Sequence, residues 1–226
     1  MPSLLWAFRL WSSNNIDRKL NNRAFDPRVS NMVKTLLDRY HYWLWIPAVY
    51  LVLYAISHLP LAWGHRLIFP DTPYALLIFL PAGLRLLSTW YFGARAILPL
   101  FFGGLLTIWV YGHYGSTSLA VAQALIGSVS AYFAFELFRI CGYDLYASSA
   151  AADEAPVAPH WRNLFLVGLF FSVFNGLLAS ILYYNALSSD NLMPFLLIYI
   201  AGDMVGLLVV LMILMAGMRV ASSVSS

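Results

Sequence analysis

Apolar residues in this chain gather into six long runs, with short polar stretches between them. Each run reaches about 18 residues or more, close to the length that an α-helix needs to cross the hydrocarbon layer of a membrane. The pattern therefore predicts an all-α fold, a polytopic membrane protein with a six-transmembrane-helix bundle over residues 43–217. The spans are expected near Trp43–Trp63, Thr72–Gly93, Ala96–Tyr114, Thr117–Ile140, Asn163–Asn185 and Pro194–Gly217.

The amino-acid composition supports a membrane environment. Of the 226 residues, 61% are hydrophobic and 10% are charged, whereas soluble domains carry about 25% charged residues. A soluble domain has no way to bury so much apolar surface, whereas a bilayer solvates it. The single cysteine, Cys141, excludes an internal disulfide and every metal motif with several cysteines. We expect no cofactor and no bound metal.

Lysine and arginine are distributed unevenly between the two sides of the predicted bundle. Seven of them precede the first span, and Arg95, Arg139, Arg162 and Arg219 fall on the same side. The opposite loops contain only Arg66. Because cytoplasmic loops carry the excess of basic residues in membrane proteins, both termini are predicted to be cytoplasmic.

Three segments outside the apolar runs complete the predicted organisation. Residues 1–42 form a basic amino-terminal segment, whose amphipathic stretches are expected to lie on the cytoplasmic membrane face. An ordinary solvated tail and a partner-docking element are both compatible with this segment. Residues 146–160, which contain several alanines and two prolines, are expected to form a flexible cytoplasmic linker. Residues 218–226 form a short cytoplasmic tail.

Two charged residues lie within the apolar runs. Arg85 falls near the middle of the second span, and Asp203 lies at comparable depth in the sixth. A charge at the bilayer centre costs at least about 2.5 kcal/mol, so it usually faces a partner, a cavity or a ligand. Three interpretations are open. An ion pair fixes the register of the helices, or Arg85 binds an anionic or carbonyl group with Asp203 as counter-ion or second ligand contact, or the two charges have unrelated partners.

Polar and helix-breaking residues extend this candidate site. Pro81 and Gly83 are expected to kink the second span beside Arg85. Asn175 and Gln123 are uncharged polar groups at membrane depth, and each would line the same pocket or bond a neighbouring helix. No nucleophile motif or paired-acid motif is present, so we expect no catalytic residue and no enzyme activity.

Small residues indicate where helices approach each other closely. Gly202 and Gly206 form a GxxxG pattern around Asp203, and Gly103 with Gly104 gives a second face of this kind. Such patterns are typical of helix packing in membranes. They favour a tight bundle over a wide pore.

Short motifs also occur in the second, third and sixth spans. A P-A-G segment precedes Arg85, Phe101-Phe102-Gly103-Gly104 follows in the third span, and G-D-M-V-G occupies Gly202–Gly206. Over residues 43–217 this arrangement resembles the MASE1 family of bacterial membrane sensor domains. The resemblance implies a multi-pass protein of the bacterial inner (cytoplasmic) membrane. The positions that match the family are Pro81, Gly83, Arg85, Gly202, Asp203 and Gly206.

The resemblance implies that the domain senses small ligands and passes a signal through its last helix. This chain departs from the family because it has fewer spans and is expected to lack an effector domain. We therefore hypothesise a non-enzymatic sensory or interaction module that signals to, or assembles with, a separate protein partner. The alternative is a substrate-binding or structural subunit of a small-solute transporter or another membrane complex. The expected partners are the lipid bilayer, another protein and a small anionic or carbonyl-bearing ligand, with no nucleic acid.

Overall fold

The computed structural model describes residues 41–61, 75–111, 117–147, 161–185 and 191–224, which form six α-helices and no strand. A π-helical turn, Ser57–Leu61, follows the first helix, and a 3₁₀ turn, Gly93–Ala96, joins the second to the third. The all-α prediction is therefore confirmed. We number the helices α1 (Tyr42–Ile56), α2 (Pro81–Phe92), α3 (Ile97–Tyr111), α4 (Thr117–Ile140), α5 (Trp161–Leu182) and α6 (Leu192–Val224).

Five stretches of the described helices are long and apolar enough to cross a membrane. The chain is thus a multi-pass membrane protein, as predicted from the apolar runs. The count of six spans is not confirmed, because α2, the 3₁₀ turn and α3 together make one stretch of 31 residues. The five stretches are Tyr42–Leu59, Pro81–Tyr111, Thr117–Ile140, Arg162–Leu182 and Leu192–Gly217.

Aromatic contacts show that α2 and α3 run in opposite directions. The ring of Trp45, near the start of α1, lies 6.5 Å from that of Phe92 at the end of α2. The ring of Tyr54, near the end of α1, lies 6.3 Å from that of Phe79 and 5.6 Å from that of Tyr111. The segment before α2 and the end of α3 therefore meet at one end of α1. The chain reverses at the 3₁₀ turn between them.

The predicted second span, Thr72–Gly93, is only partly helical. Residues 75–80 are non-helical, and α2 begins at Pro81. With 12 residues, α2 is about 18 Å long, shorter than the roughly 30 Å hydrocarbon layer. Residues 75–80 precede it through a bend and a turn, and Leu80 already has helical dihedral angles, φ −56° and ψ −35°. Our prediction that Pro81 kinks a continuous helix is therefore wrong. Pro81 starts a helix, at a position where its missing N–H is not needed.

The backbone of residues 75–80 finds its hydrogen-bond partners inside the protein. The N–H of Phe79 donates to the carbonyl of Gly202 at 3.1 Å, and the N–H of Leu80 donates to the hydroxyl of Ser57 at 3.0 Å. Non-helical backbone at membrane depth is stable only when protein groups or a cavity satisfy it. These two bonds connect the segment to α6 and to the turn after α1.

Helix α2 is buried on almost every side. Nine of its 12 residues are buried, including Arg85, and a helix that is buried all round must lie among other elements rather than against lipid. Residues 44–210 form one compact unit, which contains α2 and the whole site described below. The described residues outside this unit, 41–43 and 211–224, belong to a second unit.

Two predicted segments lie mostly outside the described residues. These are the amino-terminal segment, of which residues 1–40 are not described, and the linker, of which residues 148–160 are not described. The predicted boundary at residue 217 is not a helix end, because α6 continues to Val224. Residues 218–224 therefore extend the last helix rather than forming a separate tail.

Candidate functional site

Arg85 lies in the second turn of α2 with only 3% of its surface exposed. Its Nη2 donates a hydrogen bond to the hydroxyl of Tyr50 on α1. Its Cζ lies 5.4 Å from the centre of the Tyr50 ring and 5.3 Å from the centre of the Phe79 ring. These separations allow an attraction between the guanidinium and the aromatic faces. Neutral aromatic groups thus supply the nearest stabilisation of this buried cation.

Gly127 on α4 makes room for the guanidinium. A Cβ atom at this position would overlap the Cζ of Arg85 and lie 2.6 Å from its Nη1. Helix α4 therefore presents bare backbone to the charged group. This close approach packs the side chain of Arg85 against α4.

Asp203 is equally buried, with 2% of its surface exposed, but its direct partner is not Arg85. The amide Nδ2 of Asn175, on α5, donates a hydrogen bond of 2.8 Å to Oδ2 of Asp203. Within the described residues, the ion pair given by the structure joins Arg139 to Glu136, and none joins Arg85 to Asp203. The two charges attract each other only through space. The direct ion pair that the sequence allowed is therefore not formed.

The hydroxyl of Tyr199 connects the two neutral amides of the site. Nε2 of Gln123 on α4 donates to it at 2.5 Å, and Nδ2 of Asn175 lies 3.4 Å from it. Tyr199 precedes Asp203 by four residues, which places both on one face of α6. Gln123 and Asn175 were predicted to line a pocket or to bond a neighbouring helix. Both bond α6, Gln123 through Tyr199 and Asn175 through Asp203.

Helical spacing explains why these groups meet. Gln123 and Gly127 are four residues apart on α4, as Tyr199 and Asp203 are on α6, so each pair occupies one face about 6 Å apart along its helix. Gln123 bonds Tyr199 at one level, and Gly127 contacts Arg85. We call the resulting set of side chains the polar cluster. It consists of Tyr50, Arg85, Gln123, Asn175, Tyr199 and Asp203.

Three atoms of the polar cluster are buried without a hydrogen-bond partner among the described residues. They are the donor Nη1 of Arg85 and the acceptors Oδ1 of Asn175 and Oε1 of Gln123. The hydroxyls of Ser88 and Thr89, about one turn further along α2, are also buried without a hydrogen-bond partner among the described residues. Buried polar groups in proteins nearly always have partners, and a buried group without one costs about 1–3 kcal/mol. The cluster therefore offers unused donor and acceptor capacity in a dry environment.

The predicted packing glycines bring backbones together around the polar cluster. A Cβ atom at Gly202 would overlap the carbonyl oxygen of Leu76, and one at Gly206 would overlap that of Phe79. These two glycines therefore accommodate the non-helical residues 75–80, rather than another helix. This contact positions α6, and with it Asp203, against the start of α2.

The other glycines singled out in the sequence contact side chains of neighbouring helices. A Cβ atom at Gly83 would lie 2.6 Å from Cβ of Val210, which leaves no room for a pocket at this position. Cβ atoms at Gly103 and Gly104 would each come within 2.9 Å of a neighbouring Cβ, that of Tyr50 and that of Ala124, respectively. Gly83 is thus a close-packing residue rather than the source of a kink.

The end of α2 opposite Arg85 is joined to the segment that follows α4. The N–H of Ala147 donates to the carbonyl of Trp90 at 3.0 Å. The hydroxyl of Tyr146 bonds Glu136 at 3.0 Å, and its ring stacks on that of Phe135. Burial and the bond to Glu136 raise the pKa of Tyr146, so the phenol stays protonated and donates. The first residues of the predicted linker therefore pack against α2.

Sequence reasoning did not identify Tyr50 and Tyr199 as members of the polar cluster. Both are tyrosines in apolar helices, where most tyrosines pack as hydrophobic residues or lie at the membrane surface. Tyr199 carried one usable signal, because its spacing of four residues from Asp203 predicts a shared helix face. Tyr50 carried none, since its contact with Arg85 depends on how α1 packs against α2.

Comparisons with known proteins leave the structure as the main guide to function. No family model, curated protein or solved structure matches this chain.

Proposed function

We propose that this protein is a non-enzymatic sensory or interaction module of the membrane, in which the polar cluster binds a small anionic or carbonyl-bearing ligand. The observation that carries the proposal is Nη1 of Arg85, a buried cationic donor with no partner among the described residues. A group of this kind is stabilised by an acceptor, and a charged or carbonyl oxygen is the strongest one available. Asp203 does not fill this role, because it accepts its hydrogen bond from Asn175 instead.

Burial of the site accounts for selective binding. Arg85, Asn175 and Asp203 each have 3% or less of their surface exposed. In such a dry environment a charge-assisted hydrogen bond is worth more than in water, because solvent does not compete for it. A ligand that satisfies Arg85 therefore gains affinity that an equivalent surface arginine would not provide.

The link between α2 and the linker supports a role in signalling. Arg85 lies in the first half of α2, and Trp90 near its carboxyl-terminal end accepts the hydrogen bond from Ala147. A ligand that shifts α2 would move this contact, since α2 is one short rigid helix. The signal would then reach a separate protein partner through the linker or through α6. A MASE1-like sensor of the bacterial inner membrane is the class that fits this proposal.

Ligand-dependent stabilisation tests the proposal. The purified full chain in detergent is heated with acetate, acetamide or a short amino acid, and unfolding is followed by tryptophan fluorescence. A ligand that stabilises by 1 kcal/mol should raise the Tm by about 2–4 °C in a chain of this size. Arg85→Gln should remove the shift, whereas Arg139→Gln, at an exposed ion pair, should keep it. Equal shifts in wild type and Arg85→Gln would contradict ligand binding at the polar cluster.

A structural role is the second candidate, and the contact at Gly127 favours it. The guanidinium of Arg85 fills the space that Gly127 leaves on α4 and also bonds Tyr50 on α1. It therefore joins α1, α2 and α4 whether or not a ligand is present. This arrangement is what a subunit of a transporter or of another membrane complex would use to hold its helices in register. In that case Arg85→Gln would lower the Tm, and no small molecule would raise the Tm of the wild type.

A further inference from the structure

Opposite charges are buried in the polar cluster without neutralising each other directly. Arg85 bonds the neutral Tyr50, and Asp203 accepts from the neutral Asn175. Two separated charges in a dry interior are each costly, and direct pairing is the usual way to lower that cost. Here Gln123, Asn175 and Tyr199 form hydrogen bonds around Asp203 instead.

The unused hydrogen-bonding groups are of both kinds. Nη1 of Arg85 is a donor, whereas Oδ1 of Asn175 and Oε1 of Gln123 are acceptors. A simple anion would satisfy the donor but leave both acceptors unused. It would also add a negative charge near Asp203, which is repulsive at low dielectric. A simple cation would satisfy the acceptors and Asp203 but would be repelled by Arg85.

We infer that the ligand of the polar cluster is a small zwitterion of the amino-acid type, with a carboxylate and an ammonium group on a short chain. Its carboxylate accepts from Nη1 of Arg85. Its ammonium donates to the amide oxygens of Asn175 and Gln123 and lies in the field of Asp203. The bound ligand leaves the net charge of the site unchanged and satisfies all three unused atoms. This inference rests on the proposed function, because it specifies the ligand of the same site.

The experiment compares zwitterions with acids of matched chain length. Binding of glycine, β-alanine and γ-aminobutyrate to the full chain in detergent is measured by calorimetry, beside acetate, propionate and butyrate. This series increases the separation between the two charged groups one methylene at a time. Methylammonium represents the cationic group alone. At least one amino acid should bind about tenfold more tightly than its matched acid and than methylammonium, a difference of about 1.4 kcal/mol.

Asp203→Asn removes the negative charge while keeping the shape of the side chain. The preference for the zwitterion over its matched acid should fall below about threefold in this variant, because the ammonium loses its charged neighbour. The comparison of amino acids with their matched acids in the wild-type protein tests the inference even if Asp203→Asn does not fold. If the acids bind as tightly as the amino acids, the inference of a zwitterionic ligand is wrong and the proposed function stays intact. No binding by any of these probes would overturn both.

Discussion

Arg85 shows how a buried charge is supported when no counter-ion touches it. One nitrogen bonds Tyr50, two aromatic rings face the guanidinium, and Gly127 provides bare backbone beside it. Each of these contacts is weaker than a direct ion pair. Together they hold the side chain in one position while leaving Nη1 free to bind. This combination of a fixed side chain and an unused donor is what a binding site requires.

Tyr50→Phe should test the support that Arg85 receives from α1. The change removes the hydroxyl acceptor and leaves a second guanidinium nitrogen without a partner, at a cost of about 1–3 kcal/mol in the free energy of unfolding. The Tm in detergent should fall accordingly. Tyr143→Phe is the matched control, because Tyr143 is 64% exposed and its hydroxyl removal should leave the Tm unchanged. Equal Tm values for the two variants would show that the bond to Tyr50 contributes nothing.

The chemistry of the site was partly predictable from single residues. Arg85 and Asp203 were identified because charges in apolar runs are rare and costly. Gln123 and Asn175 followed from the same reasoning with less specificity, and both lie in the polar cluster. The pairing was not predictable, because the choice between an Asp203–Arg85 bond and an Asp203–Asn175 bond depends on interhelical distances of a few ångströms.

At the scale of elements, the non-helical residues 75–80 set the position of the site. They allow α2 to begin inside the bundle at Pro81, four residues before Arg85. Apolarity could not predict this segment, because its side chains are as apolar as those of a helix. Pro81 was the available signal, since proline is preferred at the first position of a helix. In contrast, α4 has the predicted bounds, Thr117–Ile140, because small and polar residues flank its apolar run in the sequence.

Gly206→Ala should disturb this arrangement more than changes at glycines whose added Cβ would meet side chains. A Cβ atom there overlaps the carbonyl oxygen of Phe79, which belongs to the backbone and has little freedom to move. We expect a loss of more than about 3 kcal/mol, above the usual cost of overpacking. Ligand-induced stabilisation should also be lost, because the residues before α2 must shift.

Gly176→Ala is the matched control for this change. Its Cβ would meet the side-chain ends of Ile200 and Leu196, each at 3.2 Å, and the ring of Tyr199 at an ordinary contact distance of 3.6 Å. These ends can shift by a few tenths of an ångström, and alanine gains up to about 1 kcal/mol of helix propensity over glycine. The Tm of Gly176→Ala should therefore stay within a few degrees of that of the wild type. A Gly206→Ala protein with the Tm of Gly176→Ala would show that residues 75–80 adapt easily.

For the whole molecule, the number of crossings depends on the turn between α2 and α3. A continuous stretch from Pro81 to Tyr111 is long enough for a single tilted crossing. The ring contacts of α1 instead place the start of α2 beside the end of α3, as in a hairpin. We predict that the hairpin makes six crossings, an even number that would agree with the prediction, from the distribution of basic residues, that both termini are cytoplasmic. Hydrophobicity alone could not decide between a single crossing and a hairpin, because it does not show the direction in which each helix runs.

Cysteine labelling distinguishes the two topologies. Cys141 is exposed, and a membrane-impermeant maleimide should label it in bacterial spheroplasts only after permeabilisation, if it lies on the cytoplasmic side as the basic residues predict. Arg95→Cys in a Cys141→Ser background should behave in the same way, since position 95 is exposed in the 3₁₀ turn. Asn185 follows the carboxyl-terminal end of α5, which is predicted to lie on the side of the membrane away from the cytoplasm. Asn185→Cys should therefore be labelled without permeabilisation. A continuous crossing would instead bury position 95 in lipid and leave it unlabelled under both conditions, which would reduce the number of crossings to five.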